Sequence, residues 1–260
     1  MAVSKIRGVL CDLDGTLYVG DRLIEGAAGT LAYLRRRGLS LRFLTNTTTS
    51  SRKSLFARVR SLGLDIGEEE LLSAAYAGVL YLRAAGSPRC RLLLEKDAAE
   101  DYREFPADDV APEVIVVGDI GARWDYELLN SLFRQLISGA RLVGLHKNRY
   151  YRTQRGMMLD AGAFVEALEY ASRSSAVIVG KPAPEFFGLA IESLAIPKES
   201  VIIIGDDIET DIGAAQAEGI AGILVKTGKF REDLTSRVAV IPHFSVDSIK
   251  SIPALFETFP

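Results

Sequence analysis

Apolar residues along the chain gather into short runs rich in branched side chains, at 6–10, 39–44, 114–117, 176–179, 201–204 and 223–225. Runs of this length flanked by polar turns predict strands buried on both faces. Between them the period lengthens to that of a helix. A helix over 28–37 places Leu31 and Leu34 on one face. One over 51–61 sets Leu55, Val59 and the adjoining Leu62 at i, i+4 and i+7, with Ser50 or Ser51 as its N-cap. The stretch 68–85 opens with Glu68, Glu69 and Glu70 and stops at Gly86, the charge order a helix dipole favours. Strands alternating with helices predict an α/β fold, a Rossmann-like, doubly wound parallel sheet covered on both faces.

Spacing divides that fold. About 30 residues separate Asp14 from Thr45, room for one helix, whereas about 135 separate Asn46 from Lys181. The longer interval carries its own strand and helix patterns in "VIVVGDI", "YELLNSLFRQLISG" and "ARLVGLHK". It predicts a smaller α/β domain inserted at 75–176, within a discontinuous core made of 1–74 and 177–260.

Composition narrows the class without naming it. The 260 residues are 48% hydrophobic and 25% charged, ordinary for a globular chain with a real core. A formal charge of -3 gives no basic excess for a nucleic-acid partner. The one tight basic run, Arg35 to Arg37 before Gly38, reads as a helix C-terminus. Cys11 and Cys90 form no CxxC pair, which points to a reducing, cytoplasmic setting. No signal-peptide pattern and no membrane-length apolar run are expected from the pattern. The sequon at Asn46 therefore carries no glycosylation reading.

Chemistry enters where the apolar runs stop. They end at Asp12, at Thr45-Asn46, at Gly180-Lys181 and at Gly205-Asp206-Asp207. In open parallel sheets ligands bind beyond the carboxyl ends of the strands, so these endings should meet at one rim. A single Asp at a strand end often only starts a turn. Asp12, Asp14, Asp206, Asp207 and Asp211 on one rim would instead repel one another unless a cation joined them. An all-oxygen set without His or Cys favours a hard ion, Mg2+ first. Thr45, Asn46 and Lys181 offer a hydroxyl, an amide and an ammonium to a phosphate. One carboxylate could then attack phosphorus, and a second, two residues on, could serve the leaving oxygen as general acid.

These residues carry a resemblance. "DLDGT" at 12–16, Thr45, Lys181 in "GKP" and "GDDIETD" at 205–211 resemble, in order, the four motifs of the haloacid dehalogenase superfamily. The resemblance implies that Asp12 is the nucleophile and Asp14 the general acid/base. It implies Mg2+ on the Asp12 side chain, the Asp14 backbone carbonyl and Asp206, with Asp207 and Asp211 supporting the metal site. Thr45 and Lys181 would bind the phosphoryl group, and Asn46 would orient substrate or nucleophile. An acid at position 14 implies phosphoester hydrolysis, or phosphoryl mutation, rather than dehalogenation. An insert of this size after the second motif is similar to the cap of the NagD-like and p-nitrophenyl phosphatases. That implies a small phosphorylated substrate and a homodimer through the cap, with neither nucleic acid nor membrane as partner. The short gap between the first two motifs argues against a mutase, and the intact acidic set argues against a catalytically silent binding protein.

Within the insert, "HKNRYY" at 146–151 reads either as a substrate-facing loop or as a polar strand end packed on its own domain. His146 and His243 lack metal-ligand company and receive no role. Trp124 and Tyr126 are expected in the core of the insert or at a subunit contact, and Asp119 is expected to be a loop residue. Walker, dinucleotide and zinc motifs are absent, and Pro182 after "GK" excludes a nucleotide-cradling loop there.

Overall fold

The computed structural model describes residues 6–153, 156–232 and 238–259. The chain resolves into two compact units. One comprises residues 1–45, 55–72 and 181–260; the other comprises residues 46–54 and 73–180.

The first unit is built on strands Gly8–Asp12, Ser40–Thr45, Leu71–Ser73, Val201–Gly205, Ala221–Val225 and Phe244–Val246. Their spatial order runs from Phe244–Val246 through Ala221–Val225, Val201–Gly205, Gly8–Asp12 and Ser40–Thr45 to Leu71–Ser73 at the far edge. The pairings from Phe244–Val246 across to Ser40–Thr45 are all parallel. Gly8–Asp12 and Val201–Gly205 are buried at every position, as strands covered on both faces must be. The register sets Cys11 beside Ile204 and Asp12 beside Leu44, so the chain leaves all three central strands at one level. Val9, Leu31, Leu34, Phe43, Leu55, Ile202, Ile204 and Ile223 belong to the core cluster against the sheet.

The expected helices over 28–37 and 51–61 form as Ala27–Arg36 and Arg52–Ser61. The Ser51 hydroxyl accepts from the Ser54 N–H at 3.1 Å, capping the second as anticipated. The stretch 68–85 differs. Glu68–Glu70 forms a single 3-10 turn, Leu71–Ser73 joins the sheet, and the helix begins only at Ala74 and runs to Ala84. Leu71 and Leu72 are both buried in this edge strand. The Ser73 hydroxyl, accepting from the Tyr76 N–H, then provides the helix start. The strand Phe244–Val246 was also not anticipated.

The second unit carries a four-stranded parallel sheet, ordered Val177–Ile178, Arg141–Gly144, Val114–Val117 and Cys90–Leu93. Helices Tyr126–Ile137 and Ala161–Ser172 pack Leu132, Leu136, Val165 and Leu168 into its core. Trp124 stacks on Phe164 with ring centroids 4.3 Å apart, so it joins that core. Tyr126 does not; it is 77% exposed. No helix among the described residues is long and apolar enough to cross a membrane.

Candidate active site

The run ending at Asp12 turns sharply. Gly15 and Leu17 donate backbone hydrogen bonds to the Tyr18 and Leu13 carbonyls, folding 13–18 into a tight loop. Gly15 is required there on two counts: its φ is +95°, and a Cβ would lie 2.0 Å from Asp206 Oδ2. Within this turn Leu13 is buried, while the Asp14 side chain is exposed.

Asp12, Asp206 and Asp211 are brought together. Each is buried, and one carboxylate oxygen from each lies within 4.8 Å of the others. Lys181 is buried among them and donates to Asp12 Oδ1 at 2.5 Å and to Asp211 Oδ1 at 2.6 Å. The Thr16 hydroxyl donates to the second Asp12 oxygen at 3.1 Å. Asp211 also accepts the Asp207 N–H at 3.1 Å. Asp207 itself accepts the Glu209 and Thr210 N–H groups, and so starts the helical turn that carries Asp211 inward. Thr45 is buried at the end of the strand next to Asp12. Asn46, its neighbour in sequence, belongs to the second unit; its side-chain oxygen would lie 2.9 Å from a Cβ on Gly180.

The electrostatics show what this cluster lacks. Burial, reinforced by Asp12 and Asp211, pushes the Asp206 carboxyl up to about 8. Asp211 is pushed up to about 6, by burial first, with Lys181 opposing. Burial alone would lower the Lys181 ammonium, but Asp12 and Asp211 outweigh it and hold the group above its ordinary value. Lys181 answers Asp12 and Asp211, and Lys229 offsets the rise at Asp206 only in part, so a divalent cation would relieve the remaining repulsion. The donors are all oxygen, as a hard ion prefers. The residues present therefore fit a divalent metal.

Sequence reasoning missed one part of this site. Thr227 Oγ1 donates to the Gly15 carbonyl at 2.6 Å, and the Lys229 N–H donates to Asp206 Oδ2 at 2.6 Å. The run 223–225 predicts a strand, and the polar residues after it fall under the same rim rule as the endings of the other runs.

In the second unit, the 146–151 stretch begins packed on its own helix. His146 Nε2 lies 3.6 Å from Asp160 Oδ1, and Lys147 pairs with Glu166 and Glu169 at 2.6 Å each. Tyr150 and Tyr151 are exposed. Asp119 is a loop residue whose carboxylate accepts the Gly121 N–H. His243 is exposed, with Nδ1 3.0 Å from Gln216 Nε2.

The site is thus a buried cluster of three aspartates and a lysine beyond the central strands of an open, largely parallel α/β sheet. Residues 9–106 match the family model for haloacid dehalogenase-like hydrolases, and 178–252 match a second, HAD-hydrolase-like model. The chain is 38% identical over 247 residues to haloacid dehalogenase-like hydrolase domain-containing protein 2 of Homo sapiens, covering 95% of this chain and 94% of that protein. It is 38% identical over 235 residues to phospholysine phosphohistidine inorganic pyrophosphate phosphatase of Bos taurus, covering 88% and 86%. The p-nitrophenyl phosphatase from Archaeoglobus fulgidus superposes with a TM-score of 0.91 at 26% identity, over 97% of this chain and all of that one. The chain belongs to the haloacid dehalogenase-like hydrolases, and within them to the NagD-like, p-nitrophenyl phosphatase group.

Proposed function

We propose that this phosphatase hydrolyses phosphomonoesters of small molecules, with pyrophosphate a further candidate, through a phosphorylated Asp12. The observation that carries the reading is the Asp12 carboxylate, buried and held by Lys181 and Thr16 at the end of a central strand. A nucleophile so fixed loses little orientational freedom before attack.

Asp12 forms a bond to phosphorus as the bond to the leaving oxygen breaks, and Asp14 gives that oxygen its proton. Asp14 then takes a proton from the water that attacks the phosphoaspartate, which frees phosphate and restores Asp12. The exposure of Asp14 suits a group that must reach a leaving group and then a water. Thr45, Asn46 and Lys181 bind the phosphoryl oxygens, and Lys181 offsets their charge. Mg2+, held by Asp12, the Asp14 carbonyl and Asp206, would supply further positive charge to the transferring group. Asp211 positions Lys181, and Asp207 positions Asp211.

The segment 75–176 acts as the cap that selects substrate. Its strand Gly156–Leu159 exposes Met157, Met158 and Leu159, apolar surface that suits a homodimer. A cytoplasmic location fits the buried free thiols of Cys11 and Cys90.

Phosphate release is the test. Purified protein is offered p-nitrophenyl phosphate, pyrophosphate, nucleotides, sugar phosphates and pyridoxal phosphate, with Mg2+, with EDTA, and as Asp12→Asn. Release that requires Mg2+ and disappears in Asp12→Asn supports the proposal. Release that survives EDTA or Asp12→Asn would refute it.

A further inference from the structure

The strand Ala221–Val225 is followed by Lys226, Thr227, Gly228 and Lys229, and this stretch reaches the Gly15 carbonyl and the Asp206 carboxylate. Lys181 bonds to Asp12 and Asp211, but among the described residues the hydrogen bond to the Asp206 carboxylate comes from the Lys229 N–H. A buried carboxylate on a short side chain has few ways to be held, and this donor fixes which oxygen faces away from the turn. Thr227 ties the same segment to the Gly15 carbonyl, so the 227–229 turn grips both the nucleophile loop and Asp206.

Gly228 permits the approach. Its φ is +56°, and a Cβ there would lie 2.1 Å from Asp206 Oδ2 and 2.3 Å from Gly15 Cα. A Cβ on Gly15 would likewise meet Asp206 Oδ2, at 2.0 Å, so two glycines and one carboxylate oxygen meet without a side chain between them.

We propose that the Thr227-Gly228-Lys229 turn is a positioning element of the catalytic centre, clamping Gly15 and Asp206 in the arrangement that accepts a divalent cation. This rests on the reading of Asp206 as a metal ligand. The turn acts through the groups it holds, the Gly15 carbonyl and the Asp206 carboxylate. Loss of such supporting contacts lowers metal affinity about 10- to 100-fold.

The experiment is Mg2+ binding by full-length protein in titration calorimetry, with kcat, KM and thermal unfolding measured on the same samples. Thr227→Val keeps the shape of the side chain and removes the hydrogen bond to Gly15. It is expected to weaken Mg2+ binding about 10- to 100-fold and to lower kcat more than it raises KM. Thr227→Ser is expected to restore both. Gly228→Ala, with circular dichroism to confirm folding, is expected to weaken Mg2+ at least as much. A Thr227→Val protein that loses thermal stability but binds Mg2+ like the wild type would overturn the positioning role alone. Wild-type protein that binds no Mg2+ would overturn the metal reading and this inference with it.

Discussion

Replacing Lys181 with Met tests whether the ammonium is what makes the acidic cluster tolerable. The substitution keeps the length of the side chain and removes the charge that reaches Asp12 Oδ1 and Asp211 Oδ1 at 2.5 and 2.6 Å. All three side chains are nearly inaccessible, so water cannot take the place of the lost partner. Removing one partner of a buried ion pair costs about 3–5 kcal/mol. At about 2–4 °C per kcal/mol for a chain of this size, metal-free Lys181→Met should melt about 6–20 °C below the wild type at pH 8. The deficit should shrink as pH falls towards 5, because Asp211, already raised to about 6 by burial, then takes up a proton, and it should shrink at pH 8 when Mg2+ is added. Scanning calorimetry under the three conditions measures this. Without the ammonium on the transferring group, kcat should fall by about 10²–10³. A Lys181→Met protein that melts at or above the wild-type temperature at pH 8 without metal would refute the electrostatic reasoning.

Further outcomes follow from the same geometry. The Asp206 carboxyl, at about 8, and Asp211, at about 6, lie above their unfolded values. The folded state therefore holds more protons between about pH 4 and 8, and metal-free stability should fall as pH rises through that window; denaturant melts across it, with and without Mg2+, check the sign. Gly15→Ala would drive a methyl group into Asp206 Oδ2, so metal binding by calorimetry should be lost even where circular dichroism shows a folded chain. Leu132→Ala, a fully buried position in the second unit, should cost about 2–5 kcal/mol there, read by urea unfolding.

The parts of the site that could be read from the sequence are those where burial and chemistry change at the same residue. Asp12, Thr45, Lys181 and Asp206 each end an apolar run, and a parallel sheet has one rim at which such endings collect. Asp211 stands out in the sequence as one acid of the cluster, but nothing local says that a helical turn capped by Asp207 carries it inward against Lys181. The Leu71–Ser73 strand was hidden because three glutamates before two leucines satisfy helix rules equally well, and only its place beside Ser40–Thr45 decides. Phe244–Val246 is three residues long at a sheet edge, too short for any period to show. Thr227 and Lys229 act largely through a hydroxyl and a backbone N–H, groups whose targets depend on tertiary approach rather than on composition.

The central claim is that Asp12 carries the phosphoryl group, and acid quenching of the enzyme during turnover of p-nitrophenyl phosphate tests it most directly. Mass spectrometry of the digested protein should find a phosphoryl adduct on the peptide containing Asp12, formed only with Mg2+ and absent from Asp12→Asn. Turnover with no adduct at any quench time, or an adduct on another residue, would contradict the account.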